Sequence, residues 1–398
     1  MRIIVIGSGF GGICVAIKLM QAGFDEITLL ERADDLGGVW RDNTYPGAAC
    51  DVPAAFYSYS FATDHEWKSR YAKQPEILDY INKCATDFGV RKQIRFGCEV
   101  SNASFDNDEK IWSVTLTNGE KLETDILISA VGLFNRAKLP EIDGRDDFSG
   151  NAFHSSNWNH NVDLNGGRVA VIGTGASAIQ LVPAIAGQVE NLQVFQSSSQ
   201  YVFPKHDPLL SAPGNNLHSR LARSRARLKD FLDFEITIPR RSSQKWTRRT
   251  QNAFLDYLAE VVPDPILRKK LVPRFKFGCK RVLISNDWYP VLQRENVQLI
   301  NHRVSRIESD GVVGEDGELY PVDTIIYSTG FTPADYLAPM TLCNGNGQTL
   351  QDVWQFGAAA YLGMAVPEFS NFFMLYGPNT NVAGSIIFML ECQSKYIV

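Results

Sequence analysis

The chain has 398 residues, with 39 Lys and Arg against 44 Asp and Glu, a net charge of −5 and 44% hydrophobic residues. That length holds two or three domains of ordinary size with ample core, and the composition is not that of a disordered segment. A net acidic chain lacks the phosphate attraction on which dedicated nucleic-acid binding rests, and its seven scattered cysteines, never spaced C-x-x-C, argue against a disulfide framework, a zinc site or a dithiol reductase. No apolar run approaches the ~18 residues of a membrane span, and no basic and apolar leader precedes the first strand, so a reducing cytoplasmic location without an integral membrane segment is expected.

Arg2 to Ile6 read as a buried parallel strand, followed at once by Gly7-Ser8-Gly9-Phe10-Gly11-Gly12 and an apolar-periodic helix from Ile13 to Ala22. This is G-x-G-x-x-G in its strand-turn-helix context, the cradle for a dinucleotide pyrophosphate. Gly7 permits the turn, Gly9 clears the approach of a phosphate, and Gly12 lets helix and strand pack closely. A second strand, Glu26 to Leu30, ends at Glu31, placed to accept hydrogen bonds from ribose hydroxyls. A β-rich stretch from Gln93 to Leu122 follows, with Trp112, Val114 and Leu116 alternating and a turn at Asn118-Gly119. The strand Asp125 to Ala130 then runs into Val131-Gly132-Leu133, a glycine-ended crossing between domains.

The cradle recurs at mid-chain. Arg168 to Ile172 form a strand, and Gly173-Thr174-Gly175-Ala176-Ser177-Ala178 reads G-x-G-x-x-A before another helix. The next strand, Leu192 to Phe195, ends in Gln196-Ser197-Ser198-Ser199 and carries no carboxylate, as a 2′-phosphate requires. His218 to Lys276 read as helical and basic, best explained as solvated faces of amphipathic helices. Asp323 to Ser328 form a further strand, closed by Thr329-Gly330-Phe331. The expected fold is α/β with two dinucleotide-binding, Rossmann-like domains. The first is discontinuous, residues 1–145 with a return at 321–398, and the second spans 146–320 with a helical insertion at about 206–276.

Phe148 to Trp158, through Gly150 and His154, fits F-x-G-x-x-x-H-x-x-x-W. Here the chain resembles the type I Baeyer–Villiger monooxygenases, flavoenzymes that use FAD, NADPH and O2 to turn ketones into esters or lactones through a flavin C4a-peroxide. Asn159 departs from the residues usual after the Trp, both in that family and in the N- and S-oxygenating flavin monooxygenases. Gly37-Gly38-Val39-Trp40 with Tyr45-Pro46-Gly47-Ala48-Ala49-Cys50-Asp51 resembles the family's flavin loop, which implies Gly38, Val39, Trp40, Asp51 and Tyr57 as cofactor contacts together with Phe10 and Val100. Lys280-Arg281 matches the family's Lys-Arg pair, the lysine for the 2′-phosphate and the arginine for the flavin. Gly377-Pro378-Asn379-Thr380-Asn381 resembles a late loop that brings Asn379, Asn381 and a helix N-terminus to the flavin.

The resemblance casts Arg281 as the cation that favours an anionic oxidant and Asp51 as its holder. His154, the third candidate catalytic residue, is assigned with Trp158 to coupling of the domains rather than to proton transfer. Ser197 stands where the family commonly has an Arg that forks onto the 2′-phosphate, so NADPH is expected and NADH stays open. N- or S-oxygenation, an uncoupled NAD(P)H oxidase and a non-catalytic flavoprotein are the alternatives, and Arg281 with Asp51 weighs against the last two. The chain ends within the helix expected to begin near Asn381, so the segment that helps close the substrate pocket in such enzymes is expected to be missing.

Overall fold

The computed structural model of the chain describes residues 1–208, 217–241, 243–332, 336–380 and 384–398. Two five-stranded parallel sheets organise it. The first runs, in spatial order, Phe372–Met374, Ile126–Ser129, Ile3–Ile6, Ile27–Leu30 and Ile94–Arg95. The second runs Val297–Ile300, Asn191–Phe195, Arg168–Ile172, Thr324–Tyr327 and Asn151–His154. Ile3–Ile6 and Thr324–Tyr327 are buried along their whole length, as strands covered on both faces must be, and this is why they read as unbroken apolar runs. In register, Val5 lies between Leu29 and Ile128, and Val171 between Val194 and Ile326.

The chain enters the first sheet, leaves it for the second, and returns with Phe372–Met374 to pair beside Ile126–Ser129. It also returns through Thr341–Cys343, which pairs parallel with Val100–Asp106 at the edge of a mixed sheet completed by the antiparallel strands Ile111–Leu116 and Lys121–Thr124. Trp112, Val114 and Leu116 all point into the core of that sheet. The first helix, Phe10–Gln21, begins three residues before the apolar periodicity does. Gly11 and Gly12 are buried in its first turn but carry no side chain from which a period could be read.

The insertion contains the helices Leu217–Arg241, Gln244–Val261 and Pro265–Leu271, and it leans on both halves of the molecule. Phe254 and Leu258 are fully buried in the core of the second sheet. Phe231 and Phe234 of the long helix pack instead on the first core beside Phe56. An ion pair from Arg227 to buried Glu391 ties the same helix to the last one, Ile386–Ile397. That last helix begins after Asn381, where Ser385 caps it by accepting from the Phe388 N–H and donating to the Phe56 carbonyl at 2.7 Å. Among the described residues no helix is long and apolar enough to cross a membrane.

Candidate active site

At the first cradle the glycines divide by what a side chain would meet. Gly7 has φ +100°, and a Cβ there would stand 2.8 Å from the Ala130 carbonyl oxygen. A Cβ on Gly12 would strike the Gly7 carbonyl oxygen. On Gly9 it would meet nothing nearer than the Gly38 Cα at 3.7 Å, so this glycine keeps open the space a pyrophosphate needs. Gly9 also caps the helix Phe10–Gln21 without a side-chain acceptor, leaving first-turn N–H groups for an anion.

Glu31 is 5% exposed, and its carboxylate already serves the protein. It accepts from the Ser8 N–H and hydroxyl at 2.9 and 2.8 Å, from the Ala33 N–H at 3.1 Å and from Arg41 at 3.1 Å. Burial works against the charge, but these donors outweigh it and hold the carboxyl below its usual range. Glu31 therefore braces the cradle turn.

Gly38, Val39 and Trp40 lie over this cradle, because Gly38 approaches Gly9 and the Gly37 N–H donates to the Ser8 carbonyl. Trp40 Nε1 donates to the Tyr57 hydroxyl at 3.0 Å, and Tyr57 stands edge-on to Phe10. Val100 is buried behind the cradle with Ile6 and Leu30. Next to it, Arg32, Arg41, Glu99 and Asn135 line an open, polar cavity of about 640 Å³ together with Trp158 and Phe331.

The second cradle repeats the division. Gly173 has φ +115°, with the Ser328 carbonyl where a Cβ would go, whereas Gly175 faces open space. Thr174 donates from its hydroxyl to the Ser198 carbonyl at 3.2 Å, Ala176 is exposed, and Ser177 opens the helix Ala178–Ile185 without capping it. Ser197 is exposed. Lys280 Nζ donates to the Ser198 hydroxyl at 3.1 Å, whereas Lys205 is paired with Asp207 at 2.8 Å. Open space at Gly9 and Gly175, set against crowding at Gly7, Gly12 and Gly173, means that both cradles fit a dinucleotide.

Between the cradles the fold brings Asp51 and Arg281 together across 230 residues. Arg281 Nε and Nη2 donate to the two carboxylate oxygens at 2.8 and 2.6 Å, a bidentate fork. Burial opposes the arginine's charge, but Asp51 overrides it and holds the guanidinium above its usual pKa, so Arg281 stays a cation. Its side chain is half-exposed, which leaves a face for a ligand. Cys50 and Tyr376 lie near enough to act on the guanidinium electrostatically, and burial pushes the Tyr376 hydroxyl's pKa up against the pull of Arg281. Tyr376 was not anticipated, although it directly precedes the Gly377 loop. Asn379 in that loop holds φ +64°, and Thr380 closes it by donating to the Gly377 carbonyl at 3.0 Å. Asn381 lies outside the described residues.

His154 ends the edge strand of the second sheet and is 3% exposed. Its Nδ1 accepts from the Ser156 N–H at 3.1 Å, and its ring meets Phe331 edge-on. Burial lowers its pKa, with the Gly330 backbone opposing, so the ring is neutral near pH 7. Trp158 packs edge-on against Phe153. The end of the motif, Ser156, Asn157 and Trp158, thus lines the cavity beside Arg32 and Arg41.

The flavin-binding monooxygenase-like family profile matches residues 1–337. A Baeyer–Villiger monooxygenase of Streptomyces coelicolor is 37% identical over 404 residues, covering 100% of this chain and 77% of that relative. The chain belongs to this family. A Baeyer–Villiger monooxygenase of Pseudomonas aeruginosa is 34% identical, covering 100% of this chain and 76% of its own. Among solved structures, cyclohexanone monooxygenase from Rhodococcus sp. Phi1 bound to NADP+ superposes with a TM-score of 0.89 at 29% identity, covering 100% of this chain and 83% of that one. The resemblance carried by the Phe148 to Trp158 motif is therefore borne out, and the protein is a flavin-dependent monooxygenase of the Baeyer–Villiger type.

Proposed function

We propose that this monooxygenase inserts one oxygen atom of O2 into a ketone to give an ester or lactone, with FAD on the first cradle and NADPH on the second. The forked Asp51–Arg281 pair carries the reading. Asp51 belongs to the flavin loop, and Arg281 adjoins Lys280 at the second cradle, so the pair stands where the two cofactors' reactive ends must meet. Bound there, FAD reduced by NADPH supplies the activation of O2.

The protein supplies the charge and the register. A guanidinium about 4 Å from a carbonyl oxygen that is becoming negative stabilises it by about 4 kcal/mol at an effective dielectric of about 20. That stabilisation grows along the reaction, as catalysis requires. Asp51 keeps the guanidinium oriented between turnovers, and the fork restricts it more than a single contact could. Phe10, Trp40 and Tyr57 pack edge to face beside the first cradle and give it one largely aromatic side.

Incubating the holoenzyme with NADPH, O2, a panel of linear, cyclic and aryl ketones and one sulfide tests the reading by product analysis. Ester or lactone from a ketone is the expected product. Sulfoxide alone would assign the enzyme to heteroatom oxygenation, and hydrogen peroxide alone would make it an oxidase.

The same reading gives Lys280 the 2′-phosphate, since Ser197 carries no charge and Lys205 is engaged by Asp207. Removing an exposed charge-assisted hydrogen bond worth about 1.5 kcal/mol should raise the KM for NADPH about tenfold in Lys280→Ala and leave that for NADH nearly unchanged. Steady-state kinetics with both nucleotides decides the point, because an equal rise in both would reject the assignment.

A further inference from the structure

Gln180 lies on the helix Ala178–Ile185 that opens from the second cradle, yet its side chain is spent on the loop that carries Asp51. Its Oε1 accepts from the Tyr45 hydroxyl at 2.9 Å and from the Ala49 N–H at 3.2 Å, and its Nε2 donates to the Ala49 carbonyl at 2.9 Å. A carboxamide that engages both the donor and the acceptor of one residue acts as a neighbouring strand would. It restrains the rotation of that peptide as well as its distance.

Two further features make the contact stiff. Tyr45 and Ala48, members of the flavin loop by sequence, are buried in the core of the second sheet with Val171, Ala178 and Leu181. The loop backbone also lies directly on the helix, for a Cβ on Gly47 would stand 2.6 Å from the Gln180 carbonyl oxygen and 3.2 Å from the Ala184 Cβ. On the other side of the clamp the Cys50 N–H donates to the Ala72 carbonyl at 2.9 Å, and the next residue, Asp51, holds Arg281. Two peptide units therefore separate Ala49 from the carboxylate that orients the cation. A shift of the second-cradle helix has a direct path to it, with hydrogen bonds at one end and an ion pair at the other.

We propose that Gln180 is a positioning residue that keeps the Asp51 loop in register with the second cradle, so that nucleotide occupancy there and the orientation of Arg281 are set by one rigid unit. The inference rests on the assignment of Asp51 and Arg281 to oxygen transfer. It predicts that losing the clamp lets the two sites act out of step, with NADPH still bound and oxidised but less of the oxygen reaching substrate.

Gln180→Met keeps the length and bulk of the side chain and removes all three hydrogen bonds. In FAD-loaded enzyme, hydrogen exchange across residues 45–51 should be slowed by NADP+ in the unaltered protein. In Q180M the Ala49 amide should exchange about tenfold faster, the worth of one good hydrogen bond, and NADP+ should no longer slow it. FAD content should not change. The share of NADPH electrons released as hydrogen peroxide should rise severalfold in Q180M, and this increment should vanish in an Asp51→Ala background, because the two residues act through one path. Tyr45→Phe removes one bond and leaves the Ala49 clamp, so it should show a smaller rise of the same sign; it carries the test if Q180M fails to fold.

Unchanged exchange in Q180M, no effect of NADP+ in the unaltered protein, or additive effects of Q180M and D51A would each overturn the proposal. If D51A alone leaves the product ratio unaltered, the assignment of Asp51 fails and the coupling fails with it, while the exchange result still reports whether the clamp exists.

Discussion

Replacing Arg281 with alanine is expected to leave an enzyme that loads FAD and oxidises NADPH, yet releases hydrogen peroxide where ester should form. The guanidinium is not needed for either cradle, since the open glycines, the helix N-termini and Lys280 remain in place. What is lost is a fixed positive charge beside a carbonyl oxygen that becomes negative. At about 4 kcal/mol, the loss corresponds to roughly a thousandfold in the oxygen-transfer rate. Competing decay of the oxidant then takes nearly all of the reducing equivalents. Ester and hydrogen peroxide measured against NADPH consumed give the result directly. An alanine variant that kept its ester yield would remove Arg281 from the mechanism. Arg281→Lys sharpens the comparison, because a point charge cannot fork onto both oxygens of Asp51. It should recover part of the yield and not all of it.

The second large effect is expected at Gly9, where the outcome separates cofactor binding from folding. Its backbone is extended, φ −76° and ψ −167°, a conformation that valine adopts without strain. The nearest protein atom to a new Cβ is 3.7 Å away, in ordinary contact. Gly9→Val should therefore yield a soluble, folded protein whose melting temperature in the absence of FAD matches that of the flavin-stripped parent within a few degrees. Its branched side chain fills the approach to the cradle, so FAD occupancy should fall to roughly a tenth or less, consistent with losing the close backbone contact on which pyrophosphate binding depends. Visible flavin absorbance per chain is the readout, and a fully yellow variant would sink the assignment of the first cradle to FAD. Gly12→Val is the contrasting case. Its side chain would collide with the Gly7 carbonyl, so the turn itself should fail and the protein with it.

Both cradles were legible from residues alone, because strand, turn and helix are consecutive and each glycine answers a local demand. The apolar runs of the parallel strands were legible for the same reason, as was the alternation of Trp112, Val114 and Leu116. Elements without a side-chain signal were harder. The first helix starts at Phe10 because Gly11 and Gly12 pack inside it, and no periodicity could show that. Tyr376 lay beside a motif but outside it.

Other features depend on which distant residues meet. The linear pattern already gives Gly7, Gly9 and Gly12 their separate roles, but the atoms that enforce them, the distant Ala130 carbonyl at Gly7 among them, are supplied only by folding. Glu31 reads as a ribose acceptor, and only folding reveals that Ser8, Ala33 and Arg41 already use its oxygens. The long helix of the insertion follows the second cradle in sequence, yet Phe231 and Phe234 bury themselves against Phe56 of the first core. Gln180 is an unremarked helix residue until the Asp51 loop lies on it. The physical reason is common to all four. Turn chemistry and strand burial are decided by a residue and its immediate neighbours, so they leave a mark in the chain. A contact between residues far apart in sequence is chosen by the packing of whole sheets and leaves no such mark.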